Sequence, residues 1–129
     1  MAVFTGRRYG VAVSSGTAAL HLGLLALGVG AGQEVIVPSY VCTALLHAVW
    51  GAGAEPVVCD SEPHSGNIDL AGARRALGRH TAAIIAPHMF GLPAEIEALA
   101  SLGVPCIEDC AMSIGANFMG RRLGSFGES

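Results

Sequence analysis

An α/β fold, a mostly parallel sheet with flanking helices, is what the sequence predicts, and three observations predict it. Short β-branched or apolar runs recur along the 129 residues, segments with helical signals lie between them, and glycines close most of those segments. The runs are 11–13, 34–37, 56–59, 83–86 and 104–107. Continuous apolar strands belong to sheets covered on both faces, and strand–helix alternation gives βαβ units with right-handed crossovers.

Taken in order, residues 17–27 are rich in alanine and leucine and stop at Gly28, a residue type suited to the left-handed end of a helix. Residues 40–50 read likewise and stop at Gly51-Ala52-Gly53. The stretch 60–67, with Pro63 and Gly66, reads as a surface loop. A helix over 69–77 follows from Asp69 as N-cap, from Leu70, Ala73 and Leu77 on one face, and from Gly78 beyond. Pro93 opens a helix over 93–102, Glu95 and Glu97 sit near its positive end, and Gly103 closes it.

Composition bounds the function. Hydrophobic residues make up 52% and charged residues 13%, so a core is ample and some outer surface should seek cover. A net charge of -3 offers no basic patch for nucleic acid. Residues 9–33 and 35–54 lack charge, yet Ser14, Thr17, His21, Pro38, Thr43 and His47 interrupt them, so they read as buried α/β elements rather than membrane spans. No signal peptide is read at the start. The four cysteines, Cys42, Cys59, Cys106 and Cys110, form no Cys-x-x-Cys pair; zinc is disfavoured and a reduced, cytoplasmic chain is expected.

Two motifs stand at strand ends. Ser14-Ser15-Gly16-Thr17 lies between a run and a helix, where backbone N–H groups and hydroxyls at a positive helix end suit a phosphate or simply cap the helix. It is neither a Walker loop nor Gly-x-Gly-x-x-Gly. Glu108-Asp109 follows the run 104–107, at the strand edge where α/β sheets bind ligands. Asp109 could hold a protonated ring nitrogen or cap the next segment. His88, in Pro87-His88-Met89-Phe90-Gly91, closes another strand and stands out from His21, His47, His64 and His80. No Ser-His-Asp set follows from the spacing.

With these motifs in collinear order (SSGTAALH, GQEVIVPSYVCTALLHAV, GAEPVVCD, NIDL, AAIIAPHMFGLPAEI, IEDCAMSIGA, GRRLGSFGE) the chain resembles the DegT/DnrJ/EryC1/StrS family over nearly its whole length. These are pyridoxal 5'-phosphate (PLP)-dependent aminotransferases of fold type I, many acting on nucleotide-linked keto-sugars. The resemblance implies that Ser15, Gly16 and Thr17 bind the PLP phosphate and that Asp109 pairs with the pyridine nitrogen. Where the family commonly has a ring-stacking aromatic this chain has Cys42, and where it has glutamine or histidine near the phenolic oxygen it has Met112.

All seven basic residues are arginines and there is no lysine, the residue that the family bonds to PLP. The resemblance places that lysine after Ser129 and the small domain later still. The expectation is therefore that residues 1–129 are part of the PLP-binding large domain. The piece itself is then inactive and PLP binding by it weak or absent. The intact protein would use an amino donor and a keto-sugar acceptor and form a homodimer, with no nucleic-acid or membrane partner. A module pairing with a separately encoded remainder or a homologue is the alternative, and a generic nucleotide binder a third.

Overall fold

The computed structural model describes residues 1–127. Its elements are α1 (Ala2–Thr5), α2 (Gly16–Ala26), β1 (Glu34–Pro38), α3 (Ala44–Gly51), β2 (Glu55–Cys59), α4 (Leu70–Ala76), β3 (Thr81–Pro87), a 3-10 turn (Met89–Gly91), α5 (Ile96–Ala100), β4 (Cys106–Asp109), β5 (Asn117–Phe118) and β6 (Arg121–Arg122). Strands β2-β1-β3-β4 form one sheet in that order, every pairing parallel. The α/β class and the flanking helices are those the sequence predicts.

Alternation along the strands divides the apolar residues between two layers. Val35, Val37, Ala83, Ile85 and Ile107 face one way and pack with Leu20 and Leu24 of α2 and Leu45, Ala48 and Val49 of α3. Ile36, Ile84, Ala86 and Cys106 face the other way, against Ala73 of α4 and Ile96 and Leu99 of α5. Each central strand thus feeds two cores, which is why the runs are apolar throughout rather than alternating. No helix of the described residues is long and apolar enough to cross a membrane.

The differences from expectation have local causes. The run 11–13 is not a strand: no described strand lies beside it, and Val11 is 84% exposed. Apolar, β-branched residues without a ladder partner do not make a strand. Helix α3 begins only at Ala44, with Thr43 as its N-cap, and residues 39–42 before it line a cavity instead of continuing the helix. Helix α4 starts as expected, with Asp69 accepting from Gly72 N–H at 2.7 Å, but ends at Ala76 through an extended Leu77 rather than at Gly78. Helix α5 shrinks to Ile96–Ala100, leaving Pro93 outside it. The β5–β6 hairpin turns on Met119 (φ 48°) and Gly120 (φ 80°), a pair of positive φ values that only the glycine signals in sequence.

Candidate functional site

The strand order places a crevice between β1 and β3. From β1 the chain crosses to β2 on one side, and β3 lies on the other side of β1, so the connections leave the carboxyl ends of β1 and β3 in opposite directions. A cavity of about 480 Å³ opens at that edge. Residues following β1 (Tyr40, Val41, Cys42), the end of β3 (Pro87, His88) and the end of β4 (Asp109) contribute its walls, and Met112 completes it. The structure therefore brings Cys42, Asp109 and Met112 together around one space.

Asp109 terminates β4, and by alternation it shares the face of Ile107, which α2 and α3 cover. Its Oδ1 accepts from Ala111 N–H at 2.9 Å, so it turns the chain out of the strand, while it also lines the cavity. The capping and ligand-facing alternatives are thus compatible, since each uses a different part of the carboxylate.

Ser15, Gly16 and Thr17 do not line the cavity. Ser15 caps α2, its Oγ accepting from Ala18 N–H at 3.1 Å. Gly16 is exposed, and a Cβ there would meet nothing within 4 Å, so the first turn of α2 presents open backbone N–H groups. A negative group is favoured at such an end.

Sequence reasoning passed over Glu108, which is the hub of the edge. Its side chain is fully buried yet has five neighbours offering hydrogens. Oε2 accepts from His88 Nε2 at 3.2 Å and Gly124 N–H at 2.7 Å. Oε1 accepts from Phe126 N–H at 2.6 Å and Gly127 N–H at 2.5 Å, with the Arg7 guanidinium 3.7 Å away. Burial would push this carboxyl up, but the hydrogen bonds from His88, Gly127, Gly124 and Phe126 outweigh it and hold it below the ordinary value. His88 Nδ1 accepts from Ala94 N–H at 3.0 Å, so Nε2 carries the proton donated to Glu108. Arg7 fastens the same turn through the carbonyls of Gly124 and Gly127. The one signal in the sequence was a carboxylate placed directly after an apolar run.

Donor atoms of His88, Glu108 and Cys110 lie within 4.8 Å of one another. Both Glu108 oxygens are already satisfied, and burial pushes the Cys110 thiol up to about 11, so this is a hydrogen-bond hub rather than a set of open ligands.

Comparison with known proteins shows the family. The family described as "DegT/DnrJ/EryC1/StrS aminotransferase family" matches residues 1–129. The chain is 42% identical over 132 residues to a UDP-N-acetyl-3-dehydro-alpha-D-glucosamine 3-aminotransferase of Acidithiobacillus ferrooxidans, covering 99% of this chain and 36% of that protein. It is 42% identical over 121 residues to an L-glutamine:2-deoxy-scyllo-inosose aminotransferase of Micromonospora echinospora, covering 91% of this chain and 29% of that protein. Among solved structures it is similar to NtdA of Bacillus subtilis with bound cofactor PMP, at TM-score 0.86 and 32% identity over 92% of this chain and 28% of that one. The chain thus spans about a third of the length of the relatives it matches.

Proposed function

Because the chain belongs to the DegT/DnrJ/EryC1/StrS aminotransferase family, we propose that residues 1–129 are the part of the PLP-binding large domain that receives the cofactor ring and phosphate. The whole protein would transfer an amino group from a small donor to a keto-sugar, nucleotide-linked in many relatives, or to a similar cyclic ketone. The observation that carries this reading is Asp109, standing at the end of β4 against a cavity of about 480 Å³ at the point where the strand order reverses.

The residues present fit the group. A cavity of this size admits a single aromatic ring with room to spare, and a carboxylate at its wall suits a protonated pyridine nitrogen. The first turn of α2 suits the phosphate through its backbone N–H groups and Thr17. Cys42 and Met112 would flank the ring with sulfur, giving softer and thinner cover than an aromatic side chain would. The chemistry the cofactor supplies when bound is an electron sink conjugated to the amino-bearing carbon. Asp109 would hold a protonated ring nitrogen, and Glu108 with His88 fixes the strand end that carries Asp109. Without a lysine the chain has no ε-amine to hold the cofactor covalently or to move the substrate proton, so by itself it would not transaminate.

Binding of PLP to the chain and to Asp109→Asn, measured by equilibrium dialysis, tests this. Loss of the charge opposite the ring nitrogen should weaken retention by about tenfold, equivalent to about 1.4 kcal/mol. Equal retention by both would reject the assignment of Asp109.

A second reading has its own support. Val3, Val11, Ile114 and Met119 are all more than 60% exposed, apolar side chains that a partner chain or a separately encoded remainder would cover. Homodimerisation of the intact protein in the cytoplasm would cover the same side chains.

A further inference from the structure

The paired register of β1 with β3 ends at Ile36 and Ile84, before either strand ends at Pro38 or Pro87. Beyond those pairs the strands lead into separate walls of the cavity, residues 39–42 and 87–90. Each wall is tied outward by the backbone. Ser39 N–H donates to the Cys59 carbonyl at 2.8 Å on the β2 side, and His88 N–H to the Asp109 carbonyl at 3.1 Å on the β4 side. The β1–β3 ladder thus fixes the floor of the crevice and leaves the spacing of its mouth to a third element.

That element is the loop of residues 60–69 between β2 and α4, which reaches both walls although none of it lines the cavity. On the first wall, Ser61 Oγ accepts from Tyr40 N–H at 3.0 Å and from Ser39 Oγ at 3.4 Å. Asn67, 3% exposed, holds the second. Its Oδ1 accepts from Met89 N–H at 2.8 Å and its Nδ2 donates to the Leu92 carbonyl at 3.1 Å. These bonds flank Phe90, whose φ of 54° and ψ of 23° are values a bulky residue keeps only where neighbours impose them. Gly66 closes the span. A Cβ there would come within 3.1 Å of Tyr40 Cδ1 and 3.5 Å of Phe90 Cε2, so its backbone lies against a ring from each wall.

The loop is stiff enough to act as a gauge. Ser61 and Ile68 form an antiparallel bridge. Glu62 N–H donates to the Asn67 carbonyl and Gly66 N–H to the Glu62 carbonyl, both at 2.8 Å. The Glu62 carboxylate is spent inside the loop, accepting from His64 N–H at 3.1 Å and Ser65 N–H at 2.7 Å. Ser61 and Asn67 are the side chains that reach outward to the walls.

We propose that Ser61 and Asn67 are positioning residues, and that the loop they stand on is a rigid spacer setting the separation of the 39–42 and 87–90 walls. That separation decides how closely the cavity can enclose a flat ring. An extra gap of about 1 Å already forfeits about half of the contact attraction, so a small displacement of one wall is felt as a weaker grip. The spacer deepens the proposed function and rests on it only for the identity of the ring. It assigns affinity to two side chains that stand outside the cavity they shape.

Two measurements on the chain test the spacer, one of them without ligand. In the unliganded chain, nuclear Overhauser contacts between the Tyr40 and Phe90 rings, whose centroids are 6.3 Å apart, report the wall spacing. Asn67→Ala should weaken those contacts and move the Phe90 Cα and Cβ shifts away from left-handed values. PLP retention in equilibrium dialysis should fall about tenfold in Asn67→Ala, which leaves the Met89 N–H and the Leu92 carbonyl without their partner, and about threefold in Ser61→Ala. Ser61→Thr keeps the hydroxyl and should restore retention. Asp69→Ala is the control, because it removes the α4 cap from the same loop without touching either wall. Its melting temperature should fall while ring contacts and retention stay as they were. Full retention in both Asn67→Ala and Ser61→Ala, unmoved rings in Asn67→Ala, or an equal loss of retention in Asp69→Ala would overturn the proposal. Rings that respond in a chain that retains no PLP would reject the cofactor reading and leave the spacer standing. Unmoved rings with PLP retained alike by every variant would do the reverse.

Discussion

Asp109 and Glu108 are adjacent carboxylates with opposite environments, and the strand pleat explains the difference. Glu108 points into the layer beneath α5 and is consumed by hydrogen bonds, whereas Asp109 points to the cavity side. Because the folded carboxyl of Glu108 is held below its unfolded value, its stabilisation is complete above about 4.5 and is lost as pH falls from there through the depressed folded value. Glu108→Gln should therefore lower the unfolding free energy at neutral pH by on the order of 2 kcal/mol. The two curves should converge in acid, and urea titrations at a series of pH values would show parallel curves instead if Glu108 contributed no charge. The cysteines separate in the same way. Burial pushes Cys59 up to about 11, the nearby carboxylates adding to it, and Cys110 likewise, so both remain protonated thiols at pH 8. Cys42 is exposed on the cavity wall. Iodoacetamide followed by peptide mass mapping should label Cys42 first, and saturating PLP should slow that labelling. Equal labelling of Cys59 and Cys42 would contradict the burial described here.

At the scale of elements, α2 matters most, because it joins the packed core to the open helix end. Its N-cap is a single bond, Ser15 Oγ from Ala18 N–H, and Ser15→Ala should cost about 1 kcal/mol, read as a fall in melting temperature with no loss of parallel-sheet signal by circular dichroism. An unchanged melt would mean that α2 is held by Leu20 and Leu24 alone. Much of this was legible in the residues: runs of branched apolar side chains located β1 to β4 to within a residue or two, and Asp69 and Gly28 marked helix ends, because each rests on local chemistry. What was not legible depends on distant partners. Residues 11–13 have the composition of a strand, but a strand is defined by its neighbour. Asn67 looked like loop filler until the fold set it under Phe90, 22 to 25 residues away in its hydrogen bonds. Glu108 looked secondary to Asp109 because its partners, Arg7, His88 and the 124–127 turn, come from three separate parts of the chain.

The whole molecule is two thin apolar layers on a four-stranded sheet, with the first and last described segments stitched together at the sheet edge. Arg7 binds the 124–127 turn, and Arg122 donates to the Phe4 carbonyl and lies 3.9 Å over its ring. That stitching shapes the edge on which the proposed cofactor site stands, while Val3, Val11 and Ile114 remain uncovered. In the proposed function a lysine would serve covalent attachment and proton transfer, which the 129 residues do not supply, whereas ring and phosphate would be held by Asp109 and the start of α2. These two are separate in sequence and belong to one site only if a single ligand touches both. The decisive measurement is a PLP titration of the isotopically labelled chain followed by backbone amide NMR. Gly16 and Thr17 should shift together with Cys42, Asp109 and Met112 along one binding curve. Shifts at only one of the two groups, or along unrelated curves, would contradict the account.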